Sequence, residues 1–494
     1  MLPSTPVTTV FTAFEQTARA HGAKSFLRVP SEQLELSYAQ AHERIATIAG
    51  IYRRRGYRHG HRVALKLPNC AAFLLHFLAL NSLGVAVVPV NPDYQRAELD
   101  YVLAHSEAAL VVDAAALERF DPPRAPAPGN ADECALLYTS GTTGKPKGCL
   151  LSNSYFLAVG ERYVSEGGLC TLRHGEERLI TPLPLFHMNA LAVSTLAMIL
   201  SAGCVVQLDR FHPRTWWRQV VERDATIVHY LGVMPAILMQ LAPSGDDRGH
   251  RVRFGYGANA NPKDHAPFEE RFGFPLIEAW AMTETGGGAL IAASREPRHV
   301  GTRCIGKPPP GLDVQLGEDS ELLVRQTGAD PRRGFFSGYL KDAAATAAAW
   351  RDGWFHTGDC VRRGPDGSLH FVDRLKNIIR RAGENIAALE VEAALAEHPA
   401  VAQVAVVAVP DAVRDEEVMA CVVLNPSASA SRDTALSVQD WCFERLAYFK
   451  APGHVAFLAA LPVTSTNKVQ KAKLADFALE PSQSYDLRER KRRK

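Results

Sequence analysis

Eleven residues, 138–148, gather side chains that suit a phosphate. Thr139, Ser140, Thr142 and Thr143 bring four aliphatic hydroxyls, Gly141, Gly144 and Gly148 bring flexibility, Lys145 and Lys147 bring charge, and no carboxylate interrupts them. Glycine lets a backbone turn sharply and approach a ligand. Hydroxyls and main-chain N–H groups donate to phosphate oxygens, and lysine adds attraction. A Walker loop would need four residues between its glycines and a hydroxyl after the lysine. Here two residues separate Gly141 from Gly144, and Pro146 follows Lys145. The Walker reading fails, and a polyphosphate cradle of another kind remains beside a plain Gly/Thr-rich linker.

Other reactive types follow along the chain. His187 stands in Leu183-Pro-Leu-Phe-His-Met188, where a core histidine is the plain alternative. Glu278-Ala-Trp-Ala-Met-Thr-Glu284 offers an aromatic face for a purine, a hydroxyl for a phosphate oxygen and a carboxylate for Mg2+. Asp359 ends Trp354-Phe-His-Thr-Gly-Asp359, placed to accept ribose hydroxyls or simply to make a turn. Lys468, within residues 462–471, reads alone as an ordinary surface lysine.

Taken in order, these strings resemble the adenylate-forming superfamily of acyl-CoA synthetases, luciferases and peptide-synthetase adenylation domains, and the resemblance covers nearly the whole chain. It implies that Thr139, Ser140, Gly141, Thr142, Thr143, Gly144, Lys145 and Lys147 hold the ATP phosphates. Gly257 and Ala258 would line the adenine site and Trp280 would lie against the base. Thr283 would contact the α-phosphate, and Glu284 would hold magnesium. Asp359, helped by Arg374, would take the ribose, and Lys376 would be the hinge of a mobile lid domain. Lys468 would reach the carboxylate and α-phosphate, with His187 between the acid pocket and the thiol channel. Arg381, Gly383, Glu384 and Lys450 would face coenzyme A.

The acyl pocket is expected to draw on Tyr230, Gly232, Tyr256, Asn259, Gly286 and Gly287; the glycines at 286–288 either leave room for an acyl group or serve backbone geometry. Amino-acid-activating relatives usually place an Asp where His187 and Asn189 stand, which disfavours an amino-acid substrate. Trp280, Ala281, Ala382 and Asn467 depart from the family's Tyr, Gly, Gly and Gly. The Asn377-Ile-Ile-Arg-Arg run and Phe186-His187 look most similar to carnitine/crotonobetaine-type and short-to-medium-chain carboxylate CoA ligases. The expected reaction is acid plus ATP giving acyl-AMP and pyrophosphate, then acyl-CoA and AMP. Transfer to a carrier protein or an amine is the alternative, and an aliphatic acid is the expected substrate.

The elements must position these groups. Alternating apolar segments, a strand at 62–67, a helix at 70–83 and a strand at 84–90, imply a parallel sheet with helices on both faces. Short strands between Gly and Pro at 300–345 suggest a small β-subdomain, and strands and helices after 375 a compact α+β unit. The expectation is an α/β N-terminal domain over 1–374 with ATP and carboxylate sites, a mobile α+β lid over 375–480, and a disordered basic tail over 481–494.

The totals agree with that plan. At 494 residues the chain exceeds one ordinary core. Six of the last seven residues are basic, so the net charge of +2 leaves about −3 elsewhere, which speaks against a nucleic-acid partner. Nine scattered cysteines and no secretory leader point to reduced thiols in the cytoplasm. Residues 188–208 lack charge, but polar residues and a break at 201–203 favour a buried helix, a turn at Gly203 and a strand over a membrane span. Trp216 and Trp217 are expected to divide between core and surface, and a homodimer is among the expectations.

Overall fold

The computed structural model describes residues 8–113, 132–139, 146–382, 384–411, 413–463, 469–477 and 484–491; of 475–477 it describes the backbone only. The chain divides into two compact units. One comprises Met1–Val314, Val324–His356 and Arg363–His370; the other comprises Gln315–Leu323, Thr357–Arg362 and Phe371–Lys494.

The first unit is built on two large sheets. Apolar runs within Arg62–Lys66, Ala86–Pro89 and Leu110–Asp113 pair in parallel, and the helices Ala71–Asn81 and Arg96–Ser106 connect them. That is the βαβ succession expected of strands covered on both faces. Glu133–Thr139 joins in parallel through Ala135, then pairs antiparallel with Lys147–Ser152, so that Tyr138 faces Gly148 and Thr139 faces Lys147. The second sheet runs Ile291–Ala292, Leu276–Trp280, Phe254–Ala258, Ile227–Leu231, Arg178–Thr181, Cys204–Gln207, Ser25–Val29, Leu34–Ser37. The five strands from Leu276–Trp280 through Cys204–Gln207 are parallel. Between the sheets' sequences lies the helix Asn153–Val164, which Ser152 caps by accepting from the Tyr155 amide at 3.0 Å.

Residues 188–208 fold as the charge-free stretch suggested. A π-helical turn at Asn189–Ser194 continues as the helix Thr195–Leu200, the chain turns, and Cys204–Gln207 is a strand. No described helix is long and apolar enough to cross a membrane. Trp216 and Trp217 correct the expected division, since both are buried: Trp216 meets Phe211, and Trp217 lies 4.4 Å from Phe272 and 5.1 Å from His250, centroid to centroid. The short strands after residue 300 are present, with Cys304 paired to His370 and Trp350 to Phe355. One of them departs from a self-contained subdomain: Gly338–Tyr339 pairs instead with Leu150 and Cys149 of the first sheet.

The second unit is α+β. Asp415–Leu424 is central, flanked by Val401–Asp411 in antiparallel and His454–Phe457 in parallel register. Period-two alternation sends Val406, Val418, Ala420 and Val422 to one core with Val391 and Val438, and Val407, Val409, Met419 and Cys421 to the other face with Leu474. The basic tail corrects the expectation of disorder over its described part. Ser484–Asp486 pairs with His454–Phe457, Leu487 enters the core, and Lys491 is buried in an ion pair with Glu417. Arg488 meets Asp411 at 2.8 Å and Arg490 meets Asp440 at 2.6 Å. Distant acids thus take up the charge that the local sequence leaves unpaired.

Ala382 occupies the first turn position between Arg381 and Glu384, which face each other across a hairpin, and its φ is +49°. A β-carbon there is strained, while glycine is not. Ala382→Gly is therefore expected to stabilise this hairpin by about 0.5–1 kcal/mol after the entropy cost of glycine in the unfolded chain. Hydrogen exchange over 378–387 should slow; faster exchange would contradict the account.

Candidate active site

In the first unit the hairpin at 133–152 brings Lys147 to the edge of the first sheet. Its Nζ lies 5.0 Å from the centroid of the Tyr339 ring and 3.9 Å from the Asp342 carboxylate. The Tyr339 hydroxyl donates to Glu284 Oε1 at 2.9 Å. Burial, and then the charge of Glu284, push the Tyr339 hydroxyl far above its ordinary pKa, so it stays a donor. Cys149 is likewise held protonated, by burial first and the Glu284 charge second. Thr139 Oγ1 stands 4.0 Å from Cys149 Sγ.

Glu284 is only 7 % exposed, and no Lys or Arg among the described residues lies within ion-pair distance of it. A buried carboxylate without a counter-charge is costly. A hard oxygen donor of this kind fits Mg2+, which keeps several waters and leans on one or two carboxylates plus substrate phosphates. Thr283, next to it, is half-buried, and its backbone carbonyl accepts from Tyr155 at 2.9 Å.

The ends of the second sheet are tied by a residue the motif reading passed over as a string member. Glu278 accepts from the Tyr230 hydroxyl at 2.7 Å and from the Asn259 and Ala260 amides at 2.9 Å each. Burial raises its pKa and these donors oppose the rise. Tyr230 is therefore a strut between strands, and the Asn259 amide is part of the same joint, with φ +64° at Asn259. Gly232 and Gly257 permit close crossings: β-carbons there would stand 1.6 Å from the Asn259 carbonyl oxygen and 2.2 Å from that of Tyr230. Trp280 ends the next strand, buried, two residues after Glu278.

The reading of Gly286 and Gly287 as space for an acyl group needs correction. A β-carbon on Gly286 would stand 2.1 Å from the Tyr155 ring, and one on Gly287 2.3 Å from the Ala158 carbonyl carbon. The helix Asn153–Val164 fills the volume these glycines vacate. A polar centre outside every motif lies on the strand Ile227–Leu231 that also carries Tyr230. His229 Nε2 is 3.1 Å from the Tyr163 hydroxyl, and Nδ1 is 2.9 Å from both Asn189 Oδ1 and Ser194 Oγ. Tyr256 stacks on Tyr163 at 4.5 Å, and its hydroxyl is buried without a protein partner among the described residues. His187 opens the π-helical turn carrying Asn189, its carbonyl accepting from the Leu191 amide at 3.1 Å.

Burial lowers the His229 pKa to about 3, so the ring is neutral. Because the folded value lies below the ordinary 6.5 or so, the unfolded chain binds the extra proton first, and stability is lost as pH falls from about 6.5 toward 3. Between pH 7 and pH 5 the stability advantage of wild type over His229→Gln should shrink by about 2 kcal/mol in urea unfolding. A pH-independent difference would contradict the neutral assignment.

In the second unit, Arg374 Nε lies 3.2 Å from Asp359 Oδ1, so the two expected ribose ligands meet. Asp359 is buried and its amide donates to Thr357 Oγ1 at 3.0 Å. Asp373 positions the following turn by accepting from the Arg374 amide at 2.7 Å, Asn377 Nδ2 at 2.9 Å and the Leu389 amide at 2.8 Å. Lys376 is exposed on that turn, its pKa lowered by desolvation and then by Arg374.

Two cations expected for coenzyme A are otherwise engaged. Arg381 is buried, with Nε 2.9 and 2.8 Å from the two Glu417 oxygens, and is not available to a phosphate. Lys450 Nζ donates to both oxygens of Glu390 at 2.7 Å. Glu384 is exposed. Ser140, Gly141, Thr142, Thr143, Gly144, Lys145, Gly383, Asn467 and Lys468 lie outside the described residues.

Two family models match the chain: AMP-binding enzyme over residues 14–122 and 113–329, and AMP-binding enzyme C-terminal domain over 390–468. A crotonobetaine/carnitine–CoA ligase of Escherichia coli O157:H7 is 28% identical over 490 residues, covering 89% of this chain and 92% of the relative. One of Salmonella arizonae is 29% identical, covering 90% and 93%. Among solved structures, o-succinylbenzoate CoA synthetase from Bacillus subtilis with its acyl-adenylate intermediate superposes with a TM-score of 0.81 at 24% identity, over 94% of this chain and 97% of that one. ATP-bound MatB from Rhodopseudomonas palustris gives 0.80 at 24% identity, over 94% and 98%.

Proposed function

Because the chain belongs to the AMP-binding enzyme family, we propose that it is an AMP-forming acyl-CoA ligase using ATP, Mg2+ and coenzyme A. The observation that carries this reading is the Lys147–Tyr339–Glu284 arrangement. One tyrosine joins a cation flanking the phosphate-type loop to a buried carboxylate. The names of the curated relatives support coenzyme A as acceptor.

The chemistry follows from charge. A carboxylate oxygen of the substrate attacks the α-phosphorus of ATP, the bond to the bridging oxygen of the β-phosphate breaks, and pyrophosphate departs. Two anions must approach, so positive charge and donors have to be in place beforehand. Thr283 would donate to the α-phosphate, Lys147 and the 139–145 loop would hold the outer phosphates, and Lys468 would bridge the incoming carboxylate and the phosphorus. Magnesium, held by Glu284, would neutralise phosphate charge. Trp280 would stack on adenine, and Asp359 with Arg374 would take the ribose hydroxyls. The thiol of coenzyme A then attacks the acyl carbon, the bond to AMP breaks, and the thiol proton is released. Rotation about Lys376 would separate the two half-reactions.

The neutral surroundings of His229, with Asn189, Ser194 and Tyr256 and no carboxylate among these side chains, favour an acid without a cationic tail, in line with an aliphatic substrate. All nine cysteines are free thiols, which suits a reducing compartment, and we place the enzyme in the cytoplasm. Pyrophosphate release across a panel of carboxylic acids, with and without coenzyme A, tests the reading. Acid-dependent release with thioester formation is expected. Release without thioester would leave adenylation standing and replace coenzyme A with a carrier protein or amine; no acid-dependent release would overturn both.

A further inference from the structure

A cavity of about 720 Å3 opens at the other end of the second sheet. Arg178 and Cys204 begin their strands there, and Thr226 and Arg253 immediately precede theirs. These strands are parallel, so the cavity sits at their amino ends. Trp280 ends a strand of the same parallel set, and Thr283 and Glu284 follow its carboxyl end. A five-residue strand spans roughly 15 Å, so the cavity is separate from the reacting centre. Ligands of open α/β sheets ordinarily bind at the carboxyl ends, and the proposed reaction gives this opposite pole no task.

Its lining is strongly basic. Lys24, Arg173, Arg178, Arg251 and Arg253 contribute five cations against Glu176 and Glu177. Glu177 is fully engaged: it accepts from the Arg173 amide at 2.7 Å and from Thr226 Oγ1 at 2.5 Å, and pairs with Arg253. Arg253 also donates to the Thr171 carbonyl at 2.7 Å, forming with Glu177 a bonded floor. The other guanidinium groups are left with donors to spare. Arg178 and Arg251 share the single carboxylate of Asp224, at 3.8 and 3.9 Å, beyond hydrogen-bond length. The Arg173 side chain has no partner among the described residues. Like charges gathered in a concave site focus a positive field and favour a multivalent anion. Arginine forks match phosphate oxygens two at a time.

We propose that this cavity is a second binding site, for a small polyphosphate anion of the pyrophosphate or tripolyphosphate type, held by Arg173, Arg178 and Arg251 above the Glu177–Arg253 floor. Pyrophosphate is the by-product of the proposed reaction, which would make the site a product sensor, but the binding itself does not depend on that reaction. The test is hydrogen exchange of the whole protein in magnesium-free buffer with inorganic tripolyphosphate. Protection is expected at 171–178 and 249–254, and Arg173→Gln/Arg251→Gln should raise the half-saturating concentration there by roughly tenfold or more. Pyrophosphate should reproduce the pattern if the free product is the ligand; protection by tripolyphosphate alone would assign the site to the longer tail of a nucleotide. Protection confined to 138–148 and 281–285, equal protection in the double variant, or equal protection by sodium chloride at matched ionic strength would each overturn the proposal. Failure here leaves acid-dependent pyrophosphate release untouched, so the two readings fail separately.

Discussion

Lys468→Ala is expected to lower acid-dependent pyrophosphate release by roughly 10²–10³-fold while leaving thioester formation from supplied acyl-AMP within a few-fold of wild type. The asymmetry follows from where negative charge builds up. In the first half-reaction a carboxylate meets a triphosphate and the phosphorus becomes five-coordinate, so a lysine touching both anions stabilises the transition state more than the ground state. In the second, a thiol attacks a mixed anhydride already activated by AMP, and that lysine has no such charge to offset. Val463 and Val469, which flank residues 464–468, pair as an antiparallel bridge. Quenched assays of the two half-reactions, run on the same preparation, check the result. Equal losses in both would mean that Lys468 serves folding or general nucleotide binding and not the adenylation step.

What could be read from sequence divides along sequence separation. The buried runs at Arg62–Lys66 and Ala86–Pro89, and the alternation within Val401–Asp411, carry their period in the chain itself, and the sheets follow from it. The strings at 138–148, 278–284 and 354–359 stand out in the sequence because hydroxyl, glycine, aromatic and carboxylate types gather there at close spacing. Groups joined across long separations were not legible. Arg381 looked free until Glu417, 36 positions away, took its guanidinium, and Lys491 until the same Glu417, 74 positions away, buried it. The glycines at 286–288 show small volume but not what meets it, the helix Asn153–Val164 at 286 and 287 and Phe335 at 288. His229 gave only a lone histidine in the apolar run of a strand, and three partners from two other helical segments make it a neutral hub. Tyr339 lay outside every motif, since its role depends on a two-residue strand crossing to the first sheet.

Glu284 and the Tyr339 hydroxyl that donates to it should differ in their effect on adenylation. Glu284→Gln keeps the shape of the side chain and removes its charge. Adenylation should fall by about 10²-fold or more, and the magnesium concentration for half-maximal rate should rise, because the hard anionic donor is gone. Tyr339→Phe leaves the carboxylate in place and deletes one donor at 2.9 Å. Its expected cost is about 1–1.5 kcal/mol, near a tenfold loss, with a smaller rise in magnesium requirement. Since the tyrosine hydroxyl is held protonated well above its ordinary range, the wild-type to Tyr339→Phe ratio should stay flat between pH 6 and 9. If Glu284 were only a structural partner of Tyr339, the two variants would lose activity equally and neither would move the magnesium dependence. A metal ligand steadied by a tyrosine requires the ranked pair of effects instead, because losing the charge removes the cation's anchor and losing the hydroxyl only loosens it.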